Sequence, residues 1–103
     1  MSQDRVKPAD CTTMTEVRHG VDRLDEQIVA LLGERFRYMD AAARIKTVRG
    51  AVRDEGRKAE VIINAVRHAV VANVPATLVE DLYEQLVEAS IAYELDRWDS
   101  SRA

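Results

Sequence analysis

One cysteine, two prolines and four glycines are all that this 103-residue chain has of the residues that staple or punctuate a fold. A lone Cys11 closes no intrachain disulfide, which fits a reducing compartment and sets the expectation of a cytoplasmic protein. Proline occurs only at Pro8 and Pro75, leaving long stretches with nothing to break a helix. There is no basic excess: 15 Lys and Arg stand against 18 Asp and Glu, a formal net charge of −3. A general nucleic-acid surface is normally basic, so nucleic acid is not an expected partner. No apolar run approaches the roughly 20 residues needed to span a bilayer. The polar start, Met1 to Thr13, has no apolar core and does not read as a secretory signal. The two histidines, His19 and His68, are far apart and unaccompanied, without the spacing of metal ligands. They read as solvated helix-surface residues, and no metal is expected.

What the chain has is helix-forming sequence. Hydrophobic residues make up 47% and charged residues 32%, the balance of a globular protein rather than a disordered one. Alanine, leucine, glutamate and arginine are abundant, and all favour helix. The length suits one domain over 1–103, with 1–12 as a loose tail. Thr13 and Glu16 have the spacing of a capping box. Apolar residues then recur at Val17, Val21, Leu24, Ile28 and Leu31, which predicts one helix from about residue 14 to about 48. Asp54 is a suitable N-cap for a second helix running to about Ala72, where Asn73-Val74-Pro75 ends it. A third helix is expected from about Ala76 to about Ser100. The fold class is all-α: three helices, the first very long.

The first helix carries a consequence for assembly. About 35 residues at ~1.5 Å each make a rod of about 50 Å, against a radius of gyration near 13 Å for a compact chain of this size. Much of the apolar seam would face water in a monomer, and a symmetric, intertwined homodimer is the commonest remedy. The alternative is an antiparallel three-helix monomer with a bent first helix.

Charges stand where the seam should be apolar. Continuing the steps of Val17 to Leu31 brings the next seam position to Arg35, and burying an arginine is costly unless an anion pairs with it. Lys46 lies eleven residues on, a net turn of only ~20°, so both cations share a face and could converge on an anionic ligand. Arg18 falls ~100° away around the helix and would serve such a pocket more easily in a partner protomer. Periodicity alone leaves a plainer alternative open. Arg18 could pair with Asp22 at i+4, and an internal carboxylate could neutralise Arg35.

Val17-Arg18-His19-Gly20-Val21-Asp22-Arg23-Leu24-Asp25, Ile28-Val29-Ala30-Leu31-Leu32-Gly33-Glu34-Arg35 and Ala41-Ala42-Ala43-Arg44-Ile45-Lys46 resemble the first helix of the all-helical (AroQ-class) chorismate mutases. Val52-Arg53-Asp54-x-x-Arg57 is similar to that family's loop and second-helix start, and the likeness covers nearly the whole chain. The Asp10-Cys11-Thr12 lead-in, Arg35-Phe36-Arg37-Tyr38, Ala41-Ala42-Ala43-Arg44-Ile45-Lys46 and Asp96-Arg97-Trp98 look closer to a subgroup, the isochorismate pyruvate lyases.

The resemblance implies a small dicarboxylate substrate, chorismate or isochorismate. It gives Arg35 one substrate carboxylate and Arg18 of the partner protomer the second. It gives Lys46 a carboxylate and the ether oxygen of the breaking C–O bond, and makes Arg57 a further positive charge. It places Asp54 near the ring hydroxyl, Ser90 in the pocket wall, and Glu94 beside Lys46 at the ether oxygen. Two positions depart from the common mutase pattern: Lys58 stands where many have glutamate, and Glu94 where glutamine is frequent.

The implied chemistry suits the residue types. Rearrangement of chorismate to prephenate needs no nucleophile, metal or organic cofactor, so no cofactor is expected. It requires a folded substrate, which lowers the entropic part of the barrier, and stabilisation of charge on the ether oxygen. Glu94 can help only as a protonated donor, because an ionised carboxylate would repel that charge. Chorismate mutase is the leading expectation and isochorismate pyruvate lyase the alternative. From a different class, a non-catalytic helical dimer would have little use for Arg18, Arg35, Lys46 and Arg57 together.

Overall fold

The computed structural model describes residues 5–103; the first four residues of the expected tail lie outside the described residues. Three helices account for most of the chain: α1 (Met14–Ile45), α2 (Glu55–Ala72) and α3 (Ala76–Ser101). Short 3-10 turns at Pro8–Asp10 and Arg49–Ala51 precede α1 and α2, and no strand occurs among the described residues. None of these helices is long and apolar enough to cross a membrane. The chain divides into two compact units, the first ending at Arg37 and the second running Tyr38–Ala103, with α1 contributing to both.

In the first unit, α1 starts on the expected capping box. The Glu16 amide donates to Thr13 Oγ1 at 3.1 Å, and Glu16 Oε1 accepts from the amides of Thr13 at 3.2 Å and Thr12 at 2.8 Å. The Thr12 amide is the main cause holding the Glu16 carboxyl below its usual range. The lead-in is not featureless: Val6, Pro8 and Cys11 share a small apolar cleft with Val17, Val21 and Leu24 of α1. Beyond that cleft the seam is bare, with Ile28 53% and Leu31 64% exposed.

In the second unit, α2 and α3 pack against each other around Val52, Val87 and Ile91, flanked by Val61, Ile62, Leu95 and Trp98. Ala65 and Ala69 are buried on α2. Asp54 caps α2 as expected, its Oδ1 accepting the Arg57 amide at 3.0 Å. Asn73 closes the helix in the left-handed region (φ 60°, ψ 41°). The Val74 amide then reaches Ala69 O at 2.8 Å, satisfying a terminal carbonyl before Pro75 forces the chain out.

The first helix ends at Ile45, short of the expected 48. The Lys46 amide still donates to Ala42 O at 2.9 Å. The Lys46 carbonyl leaves the ladder and instead accepts from Trp98 Nε1 at 3.0 Å and Arg102 Nη2 at 2.6 Å. Donors from α3 and its C-cap thus satisfy carbonyls that further helix would otherwise need to satisfy.

Candidate active site

The second unit brings Lys46 and Glu94 together. Lys46 is the first residue past α1, and its Nζ lies 2.7 Å from Glu94 Oε2. The two side chains are 31% and 5% exposed respectively, so the carboxylate is buried and the ammonium reaches it from a partly open side. That separation is an ion-pair contact, yet no donor among the described residues is aligned on Glu94 Oε2 as a hydrogen bond. A buried carboxylate with one off-axis counterion retains capacity to accept or, when protonated, to donate. Ser90, one turn earlier on α3, is also buried, and its Oγ donates to Leu86 O at 2.7 Å.

Three further contacts tie α3 to the last turns of α1 and to the 3-10 turn that follows it. Tyr93 Oη donates to Asp40 Oδ1 at 2.7 Å, and Arg97 Nε approaches Asp40 Oδ1 at 3.3 Å. Arg49 grips Asp99 with Nε–Oδ1 at 2.8 Å and Nη2–Oδ2 at 3.1 Å, a bidentate pair. That pair raises the guanidinium and lowers the Asp99 carboxyl from their ordinary values. These contacts join residues some fifty positions apart, and only long-range pairing could reveal them. A cleft of about 360 Å³ lined by Asp40, Ala43, Arg44, Arg97, Ser100 and Ser101 lies at this junction, but neither Lys46 nor Glu94 lines it.

Two expected site residues of this unit are turned elsewhere. Arg57 pairs with Glu60 at 2.7 Å and is 63% exposed, so its side chain is on the surface. Asp54 is engaged as the α2 cap described above. Lys58 is a strut between helices, with Nζ 2.6 Å from Glu84 Oε2 and 2.7 Å from Glu88 Oε2. Arg53 completes the network, donating to both Glu88 oxygens at 2.7 and 3.1 Å and to Glu55 at 2.8 Å. Arg53 first and Lys58 second hold the Glu88 carboxyl down at about 2. Glu84, more than Glu88, raises Lys58 above its ordinary value.

The remaining two expected residues belong to the first unit. Arg18 is exposed and Arg35 half-buried on α1. His19 and His68 are exposed, as their surroundings in the sequence suggested.

Nothing in the sequence analysis singles out Trp98 and Arg102 as the donors that hold the Lys46 carbonyl. The available signal was spacing: Trp98 follows Glu94 at i+4 on α3, and Arg102 follows at i+8 as the helix C-cap.

Comparison with known proteins matches the sequence to a family. The family described as chorismate mutase type II matches residues 17–95. The chain is also 34% identical over 95 residues to a protein of Pseudomonas aeruginosa (strain PAO1) named isochorismate pyruvate lyase, covering 92% of this chain and 94% of that relative. A match across more than three-quarters of the sequence, including the Lys46 and Glu94 positions, carries the conclusion that the chain belongs to the chorismate mutase type II family.

Proposed function

We propose that this chain catalyses a pericyclic reaction of a chorismate-type dicarboxylate, breaking its ether C–O bond at the Lys46–Glu94 pair. The observation that carries the proposal is a lysine ammonium 2.7 Å from a carboxylate that is itself buried. A structural ion pair gains little from such burial, since desolvation offsets the attraction. An enzyme gains a preorganised cation at the oxygen where charge develops, and a hydrogen-bond donor there when Glu94 carries a proton.

Of the two reactions compatible with that site, release of pyruvate from isochorismate is favoured. The named relative is matched over nearly its full length. Lys58 occupies the place where many mutases have a glutamate, and it is spent on Glu84 and Glu88. Rearrangement of chorismate to prephenate is the second reading, supported by the family itself.

Arg35 is the proposed ligand of one substrate carboxylate, and Arg18 of a partner protomer the ligand of the other. Arg57 is proposed to leave Glu60 for the substrate, a change that costs little because an exposed pair contributes ~0–1 kcal/mol. Asp54 and Ser90 complete the binding set. A homodimer is proposed on the bare α1 seam from Ile28 to Leu31, which a second copy would cover. The deciding experiment offers purified protein each substrate separately. Salicylate and pyruvate from isochorismate establish the lyase, prephenate from chorismate establishes the mutase, and neither product from either substrate overturns the proposal.

A further inference from the structure

Lys46 is held at both ends by side chains of α3 and its C-cap. Its ammonium meets Glu94 at 2.7 Å. Its carbonyl, at the other end of the residue, accepts from Trp98 Nε1 at 3.0 Å and from Arg102 Nη2 at 2.6 Å. The second guanidinium nitrogen of Arg102 also donates to Ala43 O at 3.1 Å, so the group spans the final turn of α1. The guanidinium lies over the Trp98 ring, 4.3 Å from its centroid, which holds the two donors together.

This arrangement answers a specific mechanical problem. Lys46 follows the last helical residue, and its carbonyl makes no bond in the α1 ladder. Helix ends fray and open at low free-energy cost. A lysine there would carry its ammonium on a mobile backbone as well as on a flexible four-carbon stem. Two donors on one carbonyl fix the peptide plane that follows Cα and hence the direction from which the side chain departs. Glu94, Trp98 and Arg102 sit on successive turns, so the element that presents the carboxylate also sets the position of its cation.

We propose that Trp98 and Arg102 are positioning residues for Lys46, acting through its backbone carbonyl and not through contact with substrate. The inference rests on Lys46 being the group that meets the ether oxygen. Misplacement by about 1 Å costs as much as 100-fold in rate, so loss of either donor should lower kcat by about ten-fold or more. KM should change less than kcat, because Arg35 and Arg18 of the partner protomer are assigned the main hold on the two carboxylates and Lys46 only adds to it.

The test uses Trp98→Phe, which keeps the ring and removes the donor, and Arg102→Gln, at an exposed terminal position. Arg102→Lys is the conservative variant. Arg49→Gln is the control: it removes a neighbouring α3 contact without touching Lys46. Crystal structures of the first two variants read the Lys46 Nζ–Glu94 Oε2 separation, and kinetics with the active substrate read kcat and KM. The expected result is a separation beyond 4 Å, a fall in kcat without a matching rise in KM, partial recovery in Arg102→Lys, and wild-type kcat in Arg49→Gln. An unchanged separation in both variants overturns the inference, as does an equal loss of kcat in the control. The distance is measurable whether or not turnover is found, so an inactive parent protein refutes the proposed function without deciding the positioning. Should Trp98→Phe fail to fold, Arg102→Gln decides alone.

Discussion

Lys46 Nζ stands 2.7 Å from Glu94 Oε2, and Glu94 retains only 4% of its surface. A partly open cation therefore neutralises a closed carboxylate, and the two partners should respond differently to removal.

Lys46→Met leaves Glu94 buried without its counterion. Breaking a fully buried pair in this way costs about 3–5 kcal/mol, and the partial exposure of Lys46 brings the expected loss down to about 1–2 kcal/mol. The double variant Lys46→Met with Glu94→Leu should recover most of that stability, because no charge is left buried. Turnover should fall at least ~100-fold in both. Thermal unfolding and single-substrate kinetics on the three proteins check this. A double variant less stable than Lys46→Met would show that the pair itself holds the fold.

Glu94 should act through what it donates. A carboxyl that carries a proton donates to the ether oxygen, whereas an ionised one repels the charge that develops there. Glu94→Gln supplies an amide donor of nearly the same shape and should retain activity, whereas Glu94→Leu should lose at least ~100-fold in kcat. Single-substrate kinetics on both variants check the assignment. An equal loss in the two would remove Glu94 from the chemistry.

Arg18 is exposed on the first half of α1, whose seam is bare from Ile28 to Leu31. If it completes a partner's site, then mixing inactive Arg18→Ala with inactive Lys46→Ala should restore activity. A mixed dimer holds one site with both native residues, so recovery of about a quarter of the parent rate is expected after full subunit exchange. Exchange demonstrated by mass spectrometry, with no recovery, would place Arg18 outside the site.

Glu88 gives the fold an acid-sensitive strut. Its carboxyl falls from the ordinary value of 4.5 to about 2 because Arg53 and then Lys58 bond the charged form. A depressed folded value means the contribution is complete above 4.5 and is lost as pH falls from there toward 2. Glu88→Gln should therefore melt below the parent at neutral pH, with the two midpoints converging through that acid range. A gap that persists unchanged at the acid end would assign the effect to packing and not to charge.

The helices were legible because their signals are local. Thr13 and Glu16 cap α1 through bonds three residues apart. Asp54 caps α2 in the same way. Asn73 before Val74-Pro75 stops α2 because an asparagine tolerates the left-handed region and a proline cannot continue the helix. The end of α1 was not legible. Its last carbonyls are taken by Trp98 and Arg102, more than fifty residues away, and a helix pattern does not record where a distant donor will arrive.

The candidate site divides along the same line. The sequence determined the residue types: cations at Arg18 and Arg35 on the first helix and at Lys46 just past its end, and Glu94 one turn after Ser90, in a pattern shared with a family. Tertiary structure decided which of them meet. It set Lys46 against Glu94 and committed Lys58 to Glu84 and Glu88. It left Arg57 on the surface with Glu60. Those outcomes depend on the rotation and stagger of α3 against α1 and α2. Hydrophobic periodicity fixes which face a helix buries, but the partner of each charge is fixed only when α3 packs on α2 around Val87 and Ile91 and bonds to the end of α1 at Asp40, Ala43 and Lys46.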